Sequence, residues 1–163
     1  MYKRIVVPLD GSELAECVLP HAEGIAKGCS TEELILVTVT ERIVGSGTKY
    51  VTQPTAGVPP LQPVIKLPVS LGRKQKQGER YLNRTANGLR KKGLNVRTEV
   101  LLGHPAEEII TFAENNEANL ILIASHGRSG ISRWVSGSVA ERVFRGTGIP
   151  VLMVRVPGAV IGT

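Results

Sequence analysis

Cysteine, aromatic residues and long apolar runs are all scarce in this 163-residue chain, and each shortage excludes a class of protein. Cys17 and Cys29 are the only cysteines, too few for a disulfide framework and lacking the CxxC spacing of a zinc site. His21, His104 and His126 add no HExxH pair, so no metal centre is expected. No apolar run approaches the ~20 residues that cross a bilayer. The opening Met1-Tyr2-Lys3-Arg4 leads directly into a short strand-like run containing Pro8 and Asp10. That is unlike a secretory leader, and a cytoplasmic location is expected. The two familiar glycine motifs for nucleotides are also missing: there is no GxxxxGK[ST], and no GxGxxG follows the first apolar run.

What is present fits one globular domain. The length is that of a single unit, and 42% hydrophobic residues with a mean hydropathy of +0.04 allow a self-sufficient core. The net charge of +6 is unevenly placed. Between Arg73 and Lys92 stand eight basic residues and one acid, Glu79, a net of +7 that leaves the rest of the chain at −1. The excess belongs to one predicted helix, where a solvated face accounts for it, and nucleic acid is not expected as a partner. Tyr81 is the only residue of that segment suited to stacking on a base.

Taken in order, the chain alternates strand and helix signals. Arg4 to Leu9 reads as a strand ending at Asp10-Gly11-Ser12, and Ser12 is a good N-cap for a helix running to about Lys27. Pro20 should kink that helix and Gly28 should end it. Glu33 to Val39 is a second strand with a continuous apolar run. Thr40 to Gly72 then loses all periodicity among prolines and glycines, as a lid, a docking arm or a disordered loop would. The basic helix, Arg73 to Lys92, turns Tyr81, Leu82, Thr85, Ala86 and Leu89 inward, is weakened by Gly78 and Gly88, and closes at Gly93. Asn95 to Leu101 alternates like an edge strand. Pro105 opens a helix reaching about Asn116, and Leu120 to Ala124 is a fully apolar strand. A helix from Ser138 to Arg145 and a strand from Pro150 to Val154 complete the order.

Four βα units closed by a strand favour a parallel sheet with helices on both faces. Ligands in such sheets bind beyond the carboxyl ends of the strands, where the strand order reverses. The fourth strand runs into Ser125-His126 and a loop bearing Gly127, Arg128, Gly130 and Gly137, with Ser138 before a helix. Glycines and a helix N-terminus are the parts of a phosphate cradle. If the first and fourth strands are neighbours, Asp10 and this loop face one crevice.

These residues resemble the universal stress protein family over nearly the whole chain. Tyr2 to Ser12 is similar to that family's first strand with its aspartate, and Gly103-His104-Pro105-Ala106-Glu107-Glu108-Ile109-Ile110 to its third helix entry. The family's nucleotide signature, G-x2-G-x9-G-[ST], falls on Ala124, Gly127 and Gly137-Ser138 with both spacings intact. Ala124 replaces the first glycine, which puts the preferred nucleotide in question and keeps open a dimeric interaction module with an empty crevice.

The resemblance implies a single domain over 1–163. It implies an open five-stranded parallel sheet of order 3-2-1-4-5, adenine-nucleotide alpha-hydrolase-like, flanked by helices on both faces. It further implies a regulatory or stress-response module holding ATP, AMP or ADP, with Mg²⁺ carried by the phosphates and little or no turnover. Pro8, Leu9 and Asp10 would meet the sugar or base, and Val39 the adenine. Ala124, Ser125, His126, Gly127, Arg128 and Gly130 would line the crevice and hold phosphates from the loop. Gly137, Ser138 and Val139 would hold them from the helix start. Homodimerisation through the C-terminal strand is implied as well.

Overall fold

A computed structural model describes residues 1–40, 69–125 and 139–155. Five parallel strands, β1 (Arg4–Pro8), β2 (Glu33–Thr40), β3 (Val96–Leu102), β4 (Leu120–Ala124) and β5 (Val151–Val154), form one sheet in the order β3-β2-β1-β4-β5. The helices are α1 (Leu19–Gly28), α2 (Val69–Arg90), α3 (Pro105–Asn115) and α4 (Val139–Gly146).

The central strands are apolar on both sides because both sides are covered. Ile5, Val7, Leu34, Leu36, Leu120, Leu122 and Ala124 meet Ala22 of α1 and Leu82, Ala86 and Leu89 of α2. Val6, Ile35, Val37, Ile121 and Ile123 meet Ala106, Ile109 and Ala113 of α3 and Ala140 and Val143 of α4. Each strand thus divides its residues between two cores with a period of two.

Some boundaries differ from the sequence reading. The helix expected from Ser12 begins instead as a 3₁₀ turn, Ala15–Val18, and α1 follows with Pro20 in its first turn. Proline is well placed there, where its missing N–H has no helical partner to lose, so it marks a helix start and not a kink. Gly28 is the last residue of α1, and Ser30 at φ 50° takes the left-handed position after it. The Thr31 N–H then donates to the Ala26 carbonyl at 2.9 Å and the Cys29 N–H to Ile25 at 2.8 Å. The aperiodic stretch is shorter than expected, since Thr40 closes β2 and α2 starts at Val69. Prolines and glycines set its sequence boundary, but helix interiors admit a glycine such as Gly72. Residues 41–68 lie outside the described ones.

The seam between β1 and β4 is uneven along its length. At the amino end it is tightly tied. The Asn119 side-chain oxygen accepts from the N–H groups of Lys3 and Arg4 at 3.0 Å each, and the Asn119 N–H donates to the Arg4 carbonyl at 2.8 Å. The ladder pairs Ile5 with Leu120 and Val6 with Ile121, and no further pair of these strands follows among the described residues. Toward the carboxyl end β1 stays paired with β2 as far as Pro8, and β4 with β5 as far as Ala124. The sheet therefore opens between its first and fourth strands at the end where ligands of such sheets bind.

Candidate functional site

The open seam places Asp10 at its mouth. Pro8 and Leu9 are buried beneath it, and Leu9 continues past the strand with its N–H donating to the Val37 carbonyl at 2.8 Å. The chain then turns through Gly11 at φ 80°, a conformation that suits a residue without Cβ. Asp10 is exposed, and its Oδ1 accepts from the Ser12 N–H at 2.9 Å and the Ser12 hydroxyl at 2.6 Å. The Ser12 Oγ in turn accepts from the Ala15 N–H at 3.2 Å, where the 3₁₀ turn starts. Ser12, read from the sequence only as a cap, therefore also fixes the orientation of the carboxylate.

Val39 reaches the same opening through its backbone. In a parallel strand the N–H and C=O of one residue point to the same neighbour and alternate along the chain. The Val37 carbonyl faces β1 and the Thr40 carbonyl accepts from Gly103 after β3 at 3.2 Å. Odd-numbered residues of β2 thus face β1, and Val39 lies two residues beyond Pro8's partner Val37. A backbone donor and acceptor at that height match the edge of a heteroaromatic base.

Ala124, in place of the expected glycine, is an ordinary strand residue. It is 7% exposed, and its side chain belongs to the core that holds Leu9, Ala15 and Val18. Among the described residues only Ser30 and Glu117 combine a side chain with positive φ, so Ala124 bears no backbone strain. Ser125 is half-buried, and its N–H donates to the Val154 carbonyl at 2.8 Å. Val139, the first residue of α4, is partly exposed. Pro8, Leu9, Asp10, Val39, Ala124 and Ser125 therefore gather at the carboxyl edge of the sheet. His126, Gly127, Arg128, Gly130, Gly137 and Ser138 lie outside the described residues.

Tyr81 carries a polar tip whose role sequence reasoning missed. Its ring packs against the α1/α2 core, while its hydroxyl is buried and has no hydrogen-bond partner among the described residues. Burial, followed by the charge and close approach of the Glu16 carboxylate and then by the charge of Asp10, pushes the phenol well above its ordinary pKa of 10.0. The signal was a tyrosine on an inward stripe otherwise made of Leu82, Ala86 and Leu89. Among the described residues no cluster of histidine, cysteine, aspartate or glutamate could hold a metal ion, and no helix is long and apolar enough to cross a membrane.

An open parallel sheet whose strand order reverses between β1 and β4, with helices on both faces, defines a doubly wound α/β protein. The sequence profile of the Universal stress protein family matches residues 1–155. The chain belongs to that family. It is 32% identical to Universal stress protein MJ0531 of Methanocaldococcus jannaschii, over 96% of this chain and 84% of that protein. It is 30% identical to MJ0577 of the same organism, over 95% of this chain and 96% of that protein. The solved structure of MJ0577 superposes with a TM-score of 0.70 at 26% identity, covering 98% and 99% of the two chains. A universal stress protein in complex with cAMP gives a TM-score of 0.67 at 20% identity, over 95% and 98%. An Archaeoglobus fulgidus member in complex with dAMP gives 0.60 at 22%, over 93% and 97%.

Proposed function

We propose that this protein is a nucleotide-binding regulatory module that holds ATP, or its mono- or diphosphate, with little or no turnover. The observation that carries the reading is the open β1–β4 seam with a pre-oriented Asp10 carboxylate at its mouth. An acceptor-only carboxylate suits the hydroxyls of a ribose or the amino edge of a base. The Val39 backbone would take the adenine edge. Gly127, Arg128 and Gly130 from the loop, with Gly137, Ser138 and Val139 at the start of α4, would hold the phosphates. A helix N-terminus and backbone N–H groups there favour negative charge. Mg²⁺ would arrive with the phosphates, as such ions keep most of their own waters.

The binding of cAMP and of dAMP by two members of the same fold supports the ligand class. Ala124 is compatible with it, because its methyl packs in the core. A few charge-assisted hydrogen bonds, offset by ordering costs, bring the affinity to about the micromolar range, near −8 kcal/mol. The same proposal includes a single domain over the whole chain, a cytoplasmic location and a homodimer through β5. That edge strand leaves Leu152 41% and Met153 42% exposed.

Denaturing the purified protein and identifying the released nucleotide by mass spectrometry tests the reading. Calorimetry with ATP and Mg²⁺ gives its affinity. Asp10→Ala and Gly137→Val are each expected to abolish nucleotide retention while the thermal melt stays cooperative. A native protein that releases no nucleotide and takes up ATP–Mg²⁺ without heat would falsify it.

A further inference from the structure

The outer face of α2 carries a line of cations that the crevice does not use. Successive helical residues step by about 100°, so Arg73, Lys76, Arg80 and Arg84 fall within about 80° of one another, one per turn over ~16 Å. Lys91, just past the helix, continues the same direction. This line lies opposite Leu82, Ala86 and Leu89, which are buried against the sheet, and all five cations are exposed. Elsewhere Lys3, Arg4, Lys27, Lys92, Arg97 and Arg145 have carboxylate partners. Among the described residues Arg73, Lys76, Arg80, Arg84 and Lys91 have none.

The arrangement works against the helix that carries it. Lys76 with Arg80, and Arg80 with Arg84, are like charges four residues apart, which destabilise a helix. The first turn of the helix contains no acid to offset them. A solvated face would serve as well with acids interspersed.

We infer that the outer face of α2 binds the phosphate backbone of a nucleic acid, without reading its sequence. One cation per turn in a straight line fits a linear polyanion better than a flat anionic membrane, and the apolar face of α2 is already consumed by the sheet and cannot insert into lipid. Base stacking has no platform there. Tyr81 is half-buried, and the Arg84 guanidinium lies over its ring at 5.9 Å from the centroid. Contacts are therefore to phosphates alone, which position a protein without specifying a sequence. This surface stands independently of the nucleotide crevice.

Fluorescence anisotropy with labelled 20-nucleotide RNA and 20-base-pair DNA of mixed sequence tests the inference on the full chain. Phosphate contacts by the four cations within α2, Arg73, Lys76, Arg80 and Arg84, predict that affinity falls by about a hundredfold between 50 and 200 mM salt, equally for scrambled sequences. Arg80→Glu with Arg84→Glu should weaken binding at least tenfold more than the charge-matched control Lys3→Glu with Lys27→Glu. The milder Arg80→Gln with Arg84→Gln, at two exposed positions, should lower the logarithmic salt slope by about two. The relative affinity for RNA and DNA identifies the preferred backbone. Absence of binding at 50 mM salt, equal losses in the two charge-reversed proteins, or retention on anionic vesicles but on neither nucleic acid would each overturn it.

Discussion

At the scale of single residues, two glycines of α2 that look alike in sequence have opposite reasons to be there. A Cβ on Gly88 would meet nothing within 4 Å, so Gly88→Ala should stabilise the protein by about 1 kcal/mol through helix propensity. A Cβ on Gly78 would stand 2.9 Å from the Thr38 methyl, on a buried strand. A β-branched neighbour in a sheet interior has little freedom to move. Overpacking of ~1–3 kcal/mol then exceeds the propensity gain, and Gly78→Ala should destabilise. Urea titrations of both variants decide the matter; shifts of the same sign would mean that close approach does not explain Gly78. The placement of Asp10 and Ser125 at neighbouring strand ends was legible because strand ends follow from the apolar runs. The clamp from Ser12 and the orphaned Tyr81 hydroxyl were not, since both arise from contacts between segments that only the folded chain brings together.

At the scale of elements, the five strands and four helices of the described residues were legible, because apolar runs, the alternation of β3 and helical stripes persist in the sequence. The ends were less so. Pro20 and Gly28 have more than one permitted place at a helix terminus, and a propensity alone does not choose between them. Pairing between elements is likewise a tertiary matter, as Glu23 illustrates. Its carboxylate accepts from Lys27 of α1 at 2.8 Å and from Lys92, beyond α2, at 2.5 Å. Those hydrogen bonds, first from Lys27 and then from Lys92, hold it below the ordinary 4.5. A carboxylate with a depressed folded value adds stability above its unfolded value and loses it as pH falls through the folded one. Thermal melts should therefore show Glu23→Gln less stable than the parent at neutral pH, with the difference closing as pH drops below about 4.5. A gap that stays constant through that window would assign the loss to something other than charge. The exposed ammonium ends of both lysines keep the effect small.

At the scale of the whole molecule, the two edges of the sheet differ in a way that bears on assembly. β3 is an edge with half-buried, partly polar residues, and Arg97 there is tied to Glu33, Glu99 and Asn116. β5 is short and apolar, with Leu152 and Met153 exposed and Phe144 of α4 also 54% exposed. An uncovered apolar edge favours strand addition. Under the proposed homodimer, Met153→Asp should halve the mass seen by light scattering while leaving the proposed nucleotide retention unchanged; an unaltered mass would place any dimer elsewhere. The β1–β4 seam has a mechanical consequence of its own. The sheet amounts to two ladders, β3-β2-β1 and β4-β5, stitched at the Asn119 end and parted at the other, like a zip closed only at its base. A ligand gripping Asp10 on one side and the loop after Ala124 on the other would be a rivet across the gap. Amide exchange at Val7, Leu9 and Ser125 should then slow together on ligation, and two halves that breathe separately when empty should open as one body when filled.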